Sequence, residues 1–204
     1  MKRPAIFMDR DGTLSEEVGY VNHLDRYRLL PDSPEAVRLI NRAGFLAIVT
    51  TNQSGVARGY FSDALVQQVH GRLLDWMREG GARLDAIYYC PHHPAEGTPP
   101  LRSDCDCRKP RPGMILRAAR EHEIDLSRSY GIGDSRADIE AAAGAGIPGV
   151  LVLTGYGRGL VEHQRHTLKT APFAIQDNLL EAVRFILERE RGRTSPDAAT
   201  LERS

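Results

Sequence analysis

Five short, continuous apolar runs alternate with five helical patterns along this chain, and that alternation limits the fold more than any other feature. The runs are Ala5–Met8, Phe45–Val49, Leu84–Tyr89, Ser129–Ile132 and Gly149–Leu153. Strands apolar on both faces must be covered on both faces, the condition of a parallel sheet wrapped by helices. The helical patterns supply that cover. They are Pro34–Arg42 behind the caps Asp32 and Ser33, a long helix capped by Ser62 with Leu65, Val69, Leu73 and Trp76/Met77 on one face, Gly113–Glu121, Arg136–Ala143 and Asn178–Arg189. The expected architecture is α/β, a doubly wound parallel sheet. The 204 residues make one domain over 1–190, and the tail 191–204 is expected to lack order. Gly155-Tyr-Gly157-Arg-Gly159 lacks the spacing of a dinucleotide fingerprint and reads as a loop.

Composition narrows the function. Lys plus Arg and Asp plus Glu each number 27, so the chain lacks the basic excess of a general nucleic-acid binder. No apolar run approaches the roughly 18 residues of a membrane span, and the four apolar residues before Asp9 are too few for a signal peptide. A cytoplasmic protein with no membrane partner is expected, and a monomer. All three cysteines fall between 90 and 107, which in a reducing compartment favours a metal over disulfides.

The chemistry gathers at strand ends, where doubly wound folds bind their ligands. Asp9-Arg10-Asp11-Gly12-Thr13 leaves the first strand. Two carboxylates two residues apart can share one crevice, one attacking while the other trades a proton. A strand-to-turn junction also collects Asp and Gly, so this cluster alone decides little. A calcium loop starting at Asp9 fails, because its sixth and twelfth positions hold Leu14 and Tyr20. Thr50-Thr51-Asn52-Gln53-Ser54-Gly55 follows the second strand with hydroxyls, amides and N–H groups suited to phosphate oxygens. Arg108-Lys109-Pro110 supplies positive charge ahead of a helix, and Gly133-Asp134 ends a later strand with Asp138 one turn on. A carboxylate there would complete a Mg²⁺ site with the first cluster. Each cluster has a bland reading, but the four in this order at strand ends are hard to obtain by accident.

Asp9-x-Asp11-Gly-Thr13, Thr51-Asn52, Lys109 and Gly133-Asp134 resemble the four motifs of the haloacid dehalogenase-like phosphatases, over about Ile6 to Leu153. The resemblance implies a Rossmann-like core with its site at strand C-termini. It implies Asp9 as nucleophile, Asp11 as general acid/base, and Thr51 and Lys109 as holders of the phosphoryl group. Mg²⁺ would take the Asp9 carboxylate, the Asp11 backbone carbonyl and Asp134.

Residues 91–112 form a long segment without periodicity, unusual in a compact domain unless tied down. Cys90-x-His92 and Cys105-x-Cys107 offer three thiolates and an imidazole, a closed tetrahedral set for structural Zn²⁺. His93 competes with His92, whose spacing from Cys90 mirrors Cys105/Cys107. Such a zinc loop, 90–107, would aim Arg108 and Lys109 at the substrate.

Short insertions leave no room for a large cap domain, so a capless core with an open site is expected. Glu17, Gly19, Tyr20 and Val21 would line its entrance, Arg108 would fix a second anionic group, and Arg58, Tyr60 and Arg136 stand behind them. Within the family, Gly19-Tyr20-Val21, the run from Thr51 to Gly59, Tyr88 to Pro94 and Cys105 to Pro110 are similar to the D,D-heptose 1,7-bisphosphate phosphatases. That likeness implies removal of the 7-phosphate of a small phosphorylated sugar in activated-heptose biosynthesis. Glu17–Tyr20, Asn52, Gln53, Ser54 and Arg108 would contact it. Some relatives carry a basic residue where this chain has Ser135. Histidinol-phosphate phosphatase is the nearest enzyme alternative, and a basic zinc module binding nucleic acid the non-enzyme one.

Overall fold

A computed structural model describes residues 2–194 of the chain. Six strands form one parallel sheet: β1 (Ala5–Met8), β2 (Leu46–Asn52), β3 (Ala86–Cys90), β4 (Tyr130–Gly133), β5 (Gly149–Val152) and β6 (Ala174–Gln176). Their order is β3-β2-β1-β4-β5-β6. The order reverses between β1 and β4, paired with Phe7 opposite Gly131, and the crevice beyond the strand ends there is where such sheets bind ligands.

Six helices wrap the sheet: α1 (Ser33–Arg42), α2 (Asp63–Glu79), α3 (Gly113–Glu121), α4 (Arg136–Gly144), α5 (Gly157–His163) and α6 (Leu179–Thr194). Side chains alternate across a strand. Ile6 and Met8 of β1 therefore enter one core with Val37 and Ile40 of α1, Val69 and Leu73 of α2, and Val183 and Ile186 of α6. Ala5 and Phe7 enter the other, with Met114, Ile115 and Ala118 of α3 and Ala141 and Ala142 of α4. Covered on both faces, the sheet is the doubly wound α/β core expected from its apolar runs. Among the described residues no large cap interrupts it.

Four local expectations change. The segment 155–159 is not all loop, since Gly157 opens α5. β6 is additional, too short and half-buried to stand out in sequence. The closing helix runs on to Thr194, so Arg191–Thr194 are helical rather than part of an unordered tail, and 195–204 lie outside the described residues. At α1, Asp32 makes no side-chain cap bond and the Ser33 hydroxyl donates instead to the Leu14 carbonyl at 2.7 Å. Ser62 does cap α2, accepting from the Leu65 N–H. Among the described residues no helix is long and apolar enough to cross a membrane.

Candidate active site

β1 delivers Asp9 to the crevice, and the Asp9 N–H donates to the Ile132 carbonyl of β4 at 3.0 Å. The chain then turns sharply at Gly12, whose φ is +82°. A Cβ at Gly12 would stand 2.0 Å from Asp134 Oδ2, so only glycine lets the β1 and β4 loops close on each other. Asp134 follows β4 directly, which brings Asp9, Asp134 and Asp138 together with carboxylate oxygens within 4.8 Å of one another.

One buried cation serves this acidic cluster. Lys109 donates from Nζ to Asp9 Oδ1 at 2.7 Å, to the Thr50 carbonyl at 2.7 Å and to Asp138 Oδ1 at 2.5 Å. All three ammonium hydrogens are thus spent on the protein. The two carboxylates outweigh burial and raise the Lys109 pKa, so the charge is retained. Burial pushes Asp9 up to about 7 against the pull of Lys109, and pushes Asp134 up to about 8. Asp138 has both oxygens committed, Oδ1 to Lys109 and Oδ2 to the Ser135 N–H and hydroxyl. It positions Lys109 and caps α4. Ser135 is thereby part of the helix start.

The Asp11 carboxylate receives a fork from Arg10, Nε to Oδ1 at 3.1 Å and Nη2 to Oδ2 at 2.8 Å. Ser15 Oγ and Gln53 Nε2 add two more donors, at 3.3 and 3.0 Å. Gln53 also donates to Thr51 Oγ1 at 2.9 Å, so one amide ties the acid/base candidate to the phosphate-loop hydroxyl. Asn52 clamps the Lys109 backbone with two reciprocal bonds of 3.0 Å. Arg10 is 1% exposed, with its guanidinium 5.5 Å over the Tyr27 ring. The motif reading gave Arg10 no role. A charged residue between two carboxylates at the end of an apolar strand was the available signal.

Part of this constellation lines a pocket of about 160 Å³. Asp9, Asp11, Thr51, Asn52, Gln53, Ser54, Lys109 and Asp134 form its floor and wall, with Glu17, Gly19, Tyr20 and Val21 at the entrance. Arg108 does not line it, and its Nη1 lies 3.4 Å from the His92 carbonyl. Arg58 is taken by Glu96 and by His93 Nε2. Phe61 and Tyr156 also line the pocket and were not singled out in the sequence.

Cys90, His92, Cys105 and Cys107 converge below the Lys109 segment. Sulfur–sulfur separations are 3.5 Å for Cys90–Cys105 and 3.1 Å for Cys105–Cys107. His92 Nδ1 is 3.7 Å from Cys90 Sγ and 3.4 Å from Cys107 Sγ. A tetrahedral Zn²⁺ with ordinary bond lengths sets such edges at about 3.6–3.8 Å, so the set fits one ion and is too open for disulfides. His93 turns away, its Nδ1 accepting from the Ala95 and Glu96 N–H groups.

The HAD-hydrolase-like family model matches residues 106–182. A D-glycero-beta-D-manno-heptose-1,7-bisphosphate 7-phosphatase of Rhodopseudomonas palustris is 48% identical over 149 residues, covering 72% of this chain and 82% of that protein. The chain belongs to this family of HAD-like phosphatases. A D-glycero-D-manno-heptose-1,7-bisphosphate 7-phosphatase of Thermosynechococcus vestitus is 41% identical over 190 residues, 91% of this chain and 96% of the relative. Among solved structures, a D,D-heptose 1,7-bisphosphate phosphatase of B. bronchiseptica complexed with magnesium and phosphate superposes with a TM-score of 0.81. It shares 33% sequence identity, over 93% of this chain and 99% of that one. For this phosphatase family the pocket between β1 and β4 is the candidate place of reaction, and the cysteine cluster lies outside it.

Proposed function

We propose that this phosphatase removes the 7-phosphate of D-glycero-D-manno-heptose 1,7-bisphosphate by passing the phosphoryl group through Asp9, supplying heptose 1-phosphate for activated-heptose and surface-glycan synthesis. The observation that carries the reading is the Asp9–Lys109 pair at the end of the central strand. Lys109 holds one carboxylate oxygen, and among the described residues the other has no hydrogen-bond donor.

Asp9, Asp134 and Asp138 face a single ammonium group, so a divalent cation fits the unbalanced charge. Asp9 and Asp134, with the Asp11 carbonyl, would hold Mg²⁺, since Asp138 is committed elsewhere. When bound, Mg²⁺ screens the negative charge of the phosphoryl oxygens. The free oxygen of Asp9 attacks phosphorus and the bond to the sugar oxygen breaks. Asp11 gives that oxygen its proton, then takes one from the water that attacks the aspartyl-phosphate and releases inorganic phosphate. All four hydrogen bonds to the Asp11 carboxylate, from Arg10, Ser15 and Gln53, are donated to it, the arrangement suited to its second role as proton acceptor. Gln53 and Arg10 hold it over the reacting group, and Thr51 presents its hydroxyl to the phosphoryl oxygens. Arg108 is the cation offered to the second phosphate, and Zn²⁺ on Cys90, His92, Cys105 and Cys107 fixes the loop carrying it. Cysteines gathered as a metal-ligand set support a reducing, cytoplasmic setting.

The test is phosphate release from the heptose bisphosphate, other sugar bisphosphates and histidinol phosphate, with and without Mg²⁺. The heptose ester should lead in kcat/KM by at least about tenfold. Asp9→Asn should lose at least about a thousandfold while keeping its circular dichroism. Preference for histidinol phosphate overturns the substrate, and Asp9→Asn activity within tenfold of wild type overturns the nucleophile.

A further inference from the structure

Tyr20, Tyr60 and Tyr156 leave 39%, 53% and 57% of their surface exposed, and they stand around one opening. Tyr20 and Tyr156 line the catalytic pocket, and Tyr60 packs edge-on against Tyr20 with ring centroids 4.8 Å apart. Exposed aromatic surface concentrated at the mouth of a polar pocket is what a ligand with both apolar and hydroxylated faces would cover.

Tyr156 is the most firmly placed of the three. Its N–H donates to Asp134 Oδ2 at 2.8 Å, and two residues earlier Thr154 Oγ1 donates to the Gly12 carbonyl at 2.6 Å. Between them Gly155, with φ +51°, lies so near the floor that a Cβ would stand 2.0 Å from Asp134 Oδ2. The backbone is thus bolted to the reacting centre while the ring projects into solvent. The ring shares the pocket lining with Glu17, on the entrance loop that carries Tyr20. On its far side the ring borders a second groove, of about 500 Å³, which shares Ser135 and Ala137 with the catalytic pocket.

The catalytic pocket, about 160 Å³, is smaller than the roughly 300–1,000 Å³ of sites that enclose a drug-sized ligand. It takes the phosphoryl end and leaves the carbon skeleton of the ester at the mouth. We propose that Tyr156 is a specificity-determining residue of this phosphatase, packing its ring on the C–H face of the sugar. The inference rests on the sugar-bisphosphate reading above and adds the residue that recognises the skeleton.

The experiment compares two esters, the heptose bisphosphate and acetyl phosphate, which has a phosphoryl group but no skeleton to stack. The readout is the ratio of their kcat/KM values. Tyr156→Ala should lower that ratio at least about tenfold, chiefly through KM for the sugar ester, while Tyr156→Phe, which keeps the ring, should hold it within about threefold. Equal losses on both esters would show that the residue acts only through Asp134, and no loss on either would show that it acts on neither; either overturns the proposal. A wild type that hydrolyses acetyl phosphate but ignores the heptose ester overturns the substrate reading and this assignment with it. That result is distinct from a selective wild type whose Tyr156→Ala variant stays selective.

Discussion

Replacing Lys109 by methionine keeps the length of the side chain and deletes the one cation bonded into the acidic cluster. Lys109 is 6% exposed and bridges Asp9 and Asp138, so its loss leaves buried carboxylates facing one another. Removing one partner of a buried ion pair typically costs about 3–5 kcal/mol. That cost should depend on pH, because Asp9 and Asp134 already titrate near 7 and 8 with the lysine present. A carboxyl whose pKa is raised on folding contributes its stability below its unfolded value and loses it as pH rises through the folded one. At pH 8.5 both groups are largely ionised and Lys109→Met should cost about 4 kcal/mol. At pH 5.5 Asp9 and Asp134 are protonated and leave less charge for Lys109 to balance, so the cost should be smaller, the remainder coming from the broken Asp138 pair. Urea unfolding at the two pH values, in buffer free of magnesium but with zinc retained, measures the difference. In a domain of this size the alkaline loss corresponds to a Tm drop of about 8–16 °C. Equal losses at both pH values, or a larger loss in acid, would refute the claim that Lys109 balances these carboxylates.

The cysteine cluster leads to a second expectation: protein purified without added zinc should carry about one zinc per chain, and Cys107→Ala should lose both the metal and most phosphatase activity, because Lys109 lies two residues beyond the ligand. Metal analysis with turnover checks this, and full activity in the metal-free variant would contradict it. His70 gives a third. Burial lowers its pKa to about 4, so between that value and 6.5 the unfolded chain binds more protons and stability falls on acidification, by about 2 kcal/mol from pH 7 to 5. His70→Phe should remove that part of the slope in urea titrations, and an unchanged slope would be evidence against a neutral buried imidazole.

The strands that build the site were legible because each is a continuous apolar run, and the groups that follow β1, β2 and β4 were legible because chemistry in such sheets sits at strand ends. What escaped was whatever depends on packing between distant segments. Two glycines in four residues argue against a helix, yet α5 starts at Gly157, a position only glycine can fill because the Val152 carbonyl would stand 1.8 Å from any Cβ there. With that turn read as a loop, Tyr156 could not be placed at the pocket. Arg10 shows the same limit in reverse. Its position between two carboxylates was in plain view, but strand alternation alone does not say that it turns inward onto Tyr27 and forks Asp11.

The charge of the cluster follows from its motifs, three aspartates against one lysine. The division of labour among them does not, because Asp138 is equally acidic and equally near. Both its oxygens are taken, one by Lys109 and the other by the first turn of α4. Asp134 gives one oxygen to the Tyr156 N–H, and Asp9 gives one to Lys109. Lone pairs left over after the protein has taken its share, rather than the number of carboxylates, decide which acids remain for metal and phosphorus. The same accounting makes Tyr156 more than a rim residue: its N–H orients the Asp134 carboxylate while its ring waits at the mouth, so one residue links the charge at the floor to the shape of the entrance.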